Sequence, residues 1–335
     1  MAEIIDAYAH VGFPHFGKTE ELLSVWKQWG IRGGSIALPP GIPDLPALES
    51  ARDALGDRVR LFGIPFGADT AQRRRNAEDQ VAFGIAGMRL MPNEMLDNPG
   101  VLEVLGEAGA CLMAINVYGS SDLTRTMIDW LEKYAGGTIA APHFLRPGTI
   151  DDGVPDPGAF RDLLRHPRMH AIFSRHGGAS SRPYPHEDLK PWVEDVAAVL
   201  TWDRILWGSE FPVLFHRDEQ MDEAMRWIEA LEIALDDNQR AAYFGGNAQR
   251  LWFDQSAPKG GPLDPVPEWV TQGLNAFRER ARPVPTVRTR ELRIPLELHG
   301  RLLSDYLDKQ RADPNLRFQE YLVSRIEAGA AKASP

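Results

Sequence analysis

The residues with the clearest chemical potential stand at the start of the chain. An apolar run opens with Ile4 and Ile5, and Asp6, Tyr8 and His10 follow at a spacing of two. Side chains at that spacing share one face of a β-strand. A carboxyl, a phenol and an imidazole can all donate or accept protons. The segment therefore predicts a first strand that carries reactive side chains.

The rest of the chain predicts the elements that position them. Short apolar runs alternate with segments whose apolar residues recur every three and four residues, as in amphipathic helices. Eight such alternations over about 250 residues predict a (β/α)8 TIM barrel. A doubly wound open sheet is the alternative, disfavoured because no Gly-rich phosphate turn follows the first strand. The predicted strands are Ile4–His10, Gly34–Pro39, Val59–Phe66, Gly87–Pro92, Cys111–Tyr118, Gly137–Leu145, His170–Arg175 and Ile205–Phe211.

In a barrel of this kind, chemistry takes place at the C-terminal ends of the strands. Polar residues stand at or near five further strand ends of this sequence. Along the chain, these residues are Arg89, Asn116, His143, Arg175 and Glu210. We expect these side chains to meet those of the first strand at one end of the barrel.

Several motifs carry a resemblance to a known family. They are the opening Asp6–His10, the segment Ser180–Pro185, the turn Gly208-Ser209-Glu210-Phe211-Pro212, and the closing Gly245–Leu251. In this order they resemble the amidohydrolase superfamily, in its amidohydrolase-2 branch, and particularly the group that contains 2-pyrone-4,6-dicarboxylate lactonase. The resemblance covers roughly residues 1–253 and implies a TIM-barrel hydrolase.

The metal-ligand positions depart from the family pattern. The family has two histidines on strand 1, one each on strands 5 and 6, and an aspartate on strand 8. Those positions here read Tyr8, His10, Asn116, His143 and Glu210. If a metal such as Zn or Mn is bound, His10, His143 and Glu210 are the three remaining candidate ligands. Because the resemblance points to a lactonase branch that works without metal, we expect no required metal cofactor.

A metal-free hydrolysis follows from the residue types. Glu210 would activate a water as a general base. His10 and His143 would donate hydrogen bonds to the developing oxyanion. Tyr8 would donate to the same oxygen or protonate the leaving group, with a bulky barrel-filling role as the alternative.

Arginines near the mouth suit an anionic substrate, because a guanidinium binds a carboxylate through two hydrogen bonds. Arg89, Arg175 and Arg182 are the candidates, and a solvated or helix-paired arginine is the alternative for each. His176 is either a site residue or a loop histidine, since its Gly177-Gly178 neighbours predict a turn. The other polar residues expected to contact the substrate are Asn116 and His15.

Composition narrows the class of protein. The chain of 335 residues has a formal net charge of −10 and a pI near 5.4. This acidity argues against nucleic acid as a partner, and no apolar stretch approaches the length of a membrane span. Cys111 is the only cysteine, so no intramolecular disulfide forms. Without a signal-like N-terminus, we expect a cytoplasmic protein.

The pattern changes after Phe253, which predicts two parts: a barrel over 1–255 and a C-terminal extension over 256–335. The extension begins with a linker rich in Pro, Gly and Asp. A later strand (Val287–Ile294) and two helices (Leu296–Arg311, Phe318–Glu327) resemble a ribbon–helix–helix module. We expect it to join copies of the chain into a homo-oligomer; a helical flap on the barrel is the alternative.

Three functions are compatible with these observations. The leading hypothesis is a hydrolase that opens a lactone or a related cyclic ester or amide of a small anionic molecule. The second is a metal-dependent decarboxylase or hydratase on the same barrel. The third is a catalytically degenerate barrel with a binding or regulatory role, suggested by the two lost metal ligands.

Overall fold

The computed structural model describes residues 3–12, 16–41, 43–217, 219–258, 260–261, 271, 305–306, 308–310, 321 and 324–325. Eight strands form one sheet whose order follows the chain, and each consecutive pair is parallel. The predicted (β/α)8 barrel is therefore confirmed. The strands are β1 (Ile4–His10), β2 (Ile31–Ala37), β3 (Val59–Gly63), β4 (Gly87–Leu90), β5 (Cys111–Ala114), β6 (Thr138–Ala141), β7 (Met169–Phe173) and β8 (Ile205–Trp207).

Helices connect successive strands. In chain order they are α1 (Thr19–Gln28), α2 (Leu45–Leu55), α3 (Thr70–Phe83), α4 (Pro92–Asp97), α5 (Pro99–Glu107), α6 (Ser121–Lys133), α7 (Ile150–Gly153), α8 (Pro157–Arg165), α9 (His176–Ala179), α10 (Lys190–Leu200), α11 (Val213–His216), α12 (Met221–Ala230) and α13 (Asp237–Ala241). Two π-helical turns, Ala242–Gly246 and Gln249–Phe253, follow α13.

Local sequence explains these helices and the two cores they create. Leu22 and Trp26, four residues apart, are the buried face of α1. Asp69 caps α3 by accepting a hydrogen bond from Gln72 N. One apolar cluster lies between strands and helices. A smaller one, which includes Phe62 of β3, fills the inside of the barrel.

Seven strands, β2 to β8, end earlier than predicted, and the last four of them stop before a candidate site residue. The predicted strands run through Asn116, His143, Arg175 and Glu210, whereas β5, β6, β7 and β8 stop two or three residues before them. These four residues have φ angles of 51°, 58°, 68° and 54°. A residue with positive φ leaves the extended conformation and ends the hydrogen-bonded ladder. The sequence gives no signal of this change, because glycine is the residue that usually marks a positive φ and none of the four is glycine.

The strict alternation expected for β1 is also wrong. The pairing register of β1 with β2 shifts between Asp6 and Ala9, as at a β-bulge. Tyr8 packs in the cluster inside the barrel. Asp6 instead accepts a hydrogen bond from Trp26 Nε1 of the outer helix α1. The two side chains therefore do not share one face.

Asp6 joins the first strand to the segment that follows the last. Its Oδ1 accepts hydrogen bonds from Tyr8 N and Ser209 N at 3.1 and 2.9 Å, and its Oδ2 accepts one from Ser209 Oγ at 2.5 Å. Beside it, Glu210 N donates to Tyr8 O. Burial raises the pKa of Asp6 to about 6, against the opposing effect of these donors. This junction places Glu210 next to β1.

The chain divides into two compact units, Met1–Val284 and Pro285–Pro335. The described residues of the second unit are helical and lie within the two predicted helices; Tyr321 Oη donates to Asp305 Oδ2 at 2.6 Å. The predicted strand Val287–Ile294 lies outside the described residues, so oligomerisation through this unit stays a prediction. Among the described residues, no helix has both the length and the apolarity needed to cross a membrane.

We predict that Asp6→Ala lowers the free energy of unfolding by about 2–4 kcal/mol, because it leaves several buried donors without an acceptor. Asp69→Ala, which removes only a helix cap, should cost about 1 kcal/mol. Urea denaturation measures both variants. Equal losses for the two would contradict a special role for the Asp6 junction.

Candidate active site

Three rings form the centre of the candidate site. Tyr8 is fully buried, and its ring meets those of His10 and His143 edge-on, with centroids 4.5 and 5.2 Å away. Phe16 stacks on the other side of His10 at 4.3 Å. The structure thus brings together the predicted residues of β1 and of the segment after β6.

Arg89 extends from β4 to this cluster. Its Nε donates a hydrogen bond to Tyr8 Oη at 2.8 Å, and the residue is only 7% exposed. In the part of the chain that the structure describes, no carboxylate lies within ion-pair distance of Arg89. A buried cation without an anionic partner is costly. Its position therefore favours a negatively charged ligand.

The hydrogen bonding of His10 defines its chemistry. His10 Nδ1 lies 2.9 Å from the carbonyl oxygen of Ala37. Since a carbonyl can only accept, the proton sits on Nδ1 and Nε2 is left as an acceptor. Burial, together with the charge of Arg89, lowers the pKa of His10 to about 3. His10 is therefore neutral near pH 7, and this tautomer does not fit the donor role expected from the sequence.

Glu210 is surrounded by cationic and imidazole groups. Its Oε1 lies 2.7 Å from His143 Nε2 and 3.3 Å from Arg175 Nη1. Its Oε2 accepts a hydrogen bond from Arg217 Nη2 at 2.6 Å. The carboxylate is almost completely buried, whereas the Arg175 side chain is 41% exposed. Arg175 is thus the member of this group with most freedom to move.

These contacts decide the charge of Glu210. Burial alone would raise its pKa, but His143, Arg217 and Arg175 together hold that pKa well below the ordinary range of a glutamate. Burial lowers the pKa of His143, and the Glu210 carboxylate opposes that effect. The site at neutral pH therefore holds an ionised Glu210, and its basicity depends on how many cations stay beside it.

Backbone strain is concentrated at this end of the barrel. The four positive-φ residues that follow β5 to β8 are Asn116, His143, Arg175 and Glu210. Left-handed backbone costs a non-glycine residue about 1–2 kcal/mol. Such strain is common at functional sites, where the surrounding structure enforces it. In this protein it occurs at the positions that the sequence selected as candidates.

The donor set does not fit a divalent metal ion. Two guanidinium groups and an imidazole already contact Glu210. Tyr8 Oη accepts from a third guanidinium, that of Arg89. Among the described residues, no three His, Cys, Asp or Glu side chains lie close enough to ligate one ion. A metal would have to compete with the arginine charges for the same carboxylate.

Other predicted residues have different surroundings. Asn116 Oδ1 accepts a hydrogen bond from Tyr118 Oη at 3.3 Å. Arg182 is exposed and pairs with Glu187 at 3.8 Å. His15 lies outside the described residues. Neither Asn116 nor Arg182 has a described contact with Glu210, so their role in substrate binding stays a prediction.

His176 is not a loop histidine. It begins the short helix α9 and is 3% exposed, with its ring 4.4 Å from that of Trp227. Burial lowers its pKa to about 3. The Gly177-Gly178 pair predicted a turn, but both glycines are helical. His176 faces Trp227 and Glu219 instead of an open mouth.

Arg217 is the site residue that the sequence reasoning missed. It follows α11, seven residues after Glu210, and contacts the Glu210 carboxylate directly. A basic residue in the last βα loop of a barrel is the signal that could have identified it. Its separation from any strand end concealed its proximity to the site.

A sequence model of the amidohydrolase family matches residues 14–253 of the chain. This range includes all the central residues of the site except Tyr8 and His10. No curated protein matches the chain.

Solved structures share the barrel. A probable 2-pyrone-4,6-dicarboxylic acid hydrolase from Acinetobacter baumannii, with citric acid bound, is 16% identical with a TM-score of 0.60, over 76% of this chain and 100% of that one. A Pseudomonas putida protein assigned the same activity is 21% identical with a TM-score of 0.57, over 75% and 97%. A 2,6-dihydroxybenzoate decarboxylase in complex with 2,6-dihydroxybenzoate is 14% identical with a TM-score of 0.50, over 76% and 100%. At these identities the likeness shows a common fold.

Substitutions at Arg175 test whether its left-handed backbone is strained. Arg175→Gly and Arg175→Ala both remove the guanidinium, but only alanine keeps the penalty of a φ of 68°. We predict that the glycine variant is more stable by about 1 kcal/mol, measured by urea denaturation. At Arg226, inside α12, the order should reverse, because glycine weakens a helix. Equal stability of the two Arg175 variants would show that the residue is unstrained.

Proposed function

Because the chain belongs to the amidohydrolase family, we propose that it is a hydrolase that opens a lactone or a related cyclic ester or amide of a small anionic substrate. The observation that carries the proposal is Arg89, a buried guanidinium beside Tyr8 that has no carboxylate partner among the described residues. A substrate carboxylate would supply the missing charge through charge-assisted hydrogen bonds.

In this proposal the arginines divide into two groups. Arg89 and the partly exposed Arg175 bind the substrate anion. Arg217 stays on Glu210, to which it is bonded at 2.6 Å. When a substrate carboxylate draws Arg175 away, Glu210 loses one of the cations that lower its pKa. Its basicity then increases when substrate is present, which suits a general base.

The chemical step needs water and no other reactant. Glu210 accepts a proton from a water molecule as the water oxygen bonds to the substrate carbonyl carbon. The resulting tetrahedral oxyanion accepts a hydrogen bond from Tyr8 Oη, whose own proton is free because Oη accepts from Arg89. The ring bond to the leaving oxygen or nitrogen then breaks, and the proton held by Glu210 passes to that atom. The product is a ring-opened acid.

The two histidines have different parts in this step. His10, with Nε2 as an acceptor, orients the attacking water without being protonated. His143 stays against Glu210 Oε1 and keeps the carboxylate aimed at the water. We propose that no metal takes part, since guanidinium charge surrounds the carboxylate that the family would use as a ligand.

The anion site can be tested with citrate as a probe in titration calorimetry. We predict that Arg89→Met weakens citrate binding about 10–100-fold, because a charge-assisted hydrogen bond contributes about 1.5–3 kcal/mol. The thermal stability of Arg89→Met should change little, because the loss of one donor to Tyr8 Oη is offset by removal of a buried cation that has no described anionic partner. Arg226→Met, which removes an exposed arginine paired with Asp222, should leave citrate binding unchanged. Unchanged affinity of Arg89→Met would exclude this anion site.

The reaction can be tested with 2-pyrone-4,6-dicarboxylate, the compound named for the structural neighbours. We predict ring opening without release of CO2, retained after dialysis against a chelator. Glu210→Gln should reduce kcat at least about 10³-fold, as expected for loss of a general base. Ultraviolet absorbance follows the ring, and mass spectrometry identifies the product. Full turnover by Glu210→Gln would refute the assignment of the base, and release of CO2 would favour decarboxylation.

A further inference from the structure

Arg217 holds the base of the site, but it is not held by Glu210 alone. Its Nη2 donates to Glu210 Oε2, and its Nε donates to Oε1 of Glu219. The side chains of Arg217 and Glu219 are 19% and 11% exposed. One guanidinium thus joins two carboxylates, one of them in the site and the other behind it.

Glu219 is itself fixed from several sides. Its backbone N donates to Leu214 O at 3.0 Å. Its Oε2 lies 4.0 Å from His176 Nδ1, and the ring of His176 packs against Trp227. Glu219 therefore has a defined position between Arg217 and His176.

The glycine pair of α9 makes room for the ion pair of Arg217 and Glu219. A Cβ on Gly177 would lie 2.9 Å from Glu219 Oε1, and a Cβ on Gly178 would lie 3.0 Å from Arg217 Nε. The first distance is shorter than real Cβ contacts and the second is tighter than most of them, so the two glycines allow the ion pair to approach the helix. This explains the sequence His176-Gly177-Gly178, which the proposed mechanism does not otherwise use.

From this arrangement we propose that Glu219 is a positioning residue that acts through Arg217 to hold the Glu210 carboxylate in its reactive orientation. The proposal rests on the proposed function of Glu210. In this role Glu219 acts only through its ion pair with Arg217. Without it, Arg217 loses the partner that fixes its Nε, and its Nη2 no longer has one defined position beside Glu210. Turnover then falls because the base is misoriented, while substrate binding by Arg89 and Arg175 is kept.

Kinetics with 2-pyrone-4,6-dicarboxylate separate this role from a general structural one. We expect Glu219→Ala to lower kcat about tenfold with KM changed less than about threefold. Glu219→Gln, which keeps an oxygen acceptor for Arg217 Nε, should recover part of kcat. Glu223→Ala is the matched control, because Glu223 lines the same small cavity as Glu219 and should leave both constants unchanged. Thermal melts verify that each variant folds.

The route through Arg217 gives a double-mutant test. In an Arg217→Met background, Glu219→Ala should cause no further loss of kcat, because the intermediary is already absent. If the losses of kcat in the two single variants added up in the double variant, the proposal would be overturned. A change in KM with kcat unchanged would also overturn it.

A spectroscopic measurement keeps the test independent of turnover. In full-length protein labelled with [15N]arginine, the Nε–H signal of Arg217, assigned with Arg217→Lys, should shift in Glu219→Ala and stay in place in Glu223→Ala. An unchanged signal in Glu219→Ala would overturn the positioning role. If the unmodified protein opens no ring of this probe while the signal responds as expected, the proposed reaction on this probe fails and the link from Glu219 to Arg217 stands.

Discussion

The site depends on the junction between the first strand of the barrel and the segment after the last. Asp6 accepts hydrogen bonds from the backbone and the hydroxyl of Ser209, and Glu210 N donates to Tyr8 O at 2.7 Å. Removing a buried acceptor from several donors is costly, so this junction is a strong constraint. It holds the proposed base, Glu210, next to Tyr8 of β1 through backbone and side-chain hydrogen bonds.

Positive charge near that junction is the second feature that determines the chemistry of the site. Arg217, backed by Glu219, and Arg175 contact the Glu210 carboxylate, whereas Arg89 is left without a described anionic partner. The resemblance seen in the sequence implies metal-binding histidines where this chain has Tyr8 and Asn116. Tyr8 in turn accepts a hydrogen bond from Arg89. In the proposed function, this guanidinium charge suits a substrate that brings its own carboxylate.

The sequence predicted the architecture well because barrel strands are short apolar runs with helices between them. The start of β1, β3, β4, β5 and β8 was predicted to the residue. Strand ends were harder, since left-handed backbone at residues such as His143 and Glu210 leaves no mark in an apolar pattern. The bulge in β1 and the contact of Arg217 with Glu210 depend on tertiary packing. His176 looked like a loop residue for the same reason: its burial against Trp227 comes from a distant helix.

A crystal structure of the protein with citrate tests the central claim most directly, because it shows where the site places a small carboxylate anion. We predict a citrate carboxylate on the guanidinium of Arg89 beside Tyr8, with Arg175 turned toward the anion and Arg217 still bonded to Glu210. Citrate bound away from this end of the barrel, with Arg89 unchanged and Arg175 still on Glu210, would contradict the account.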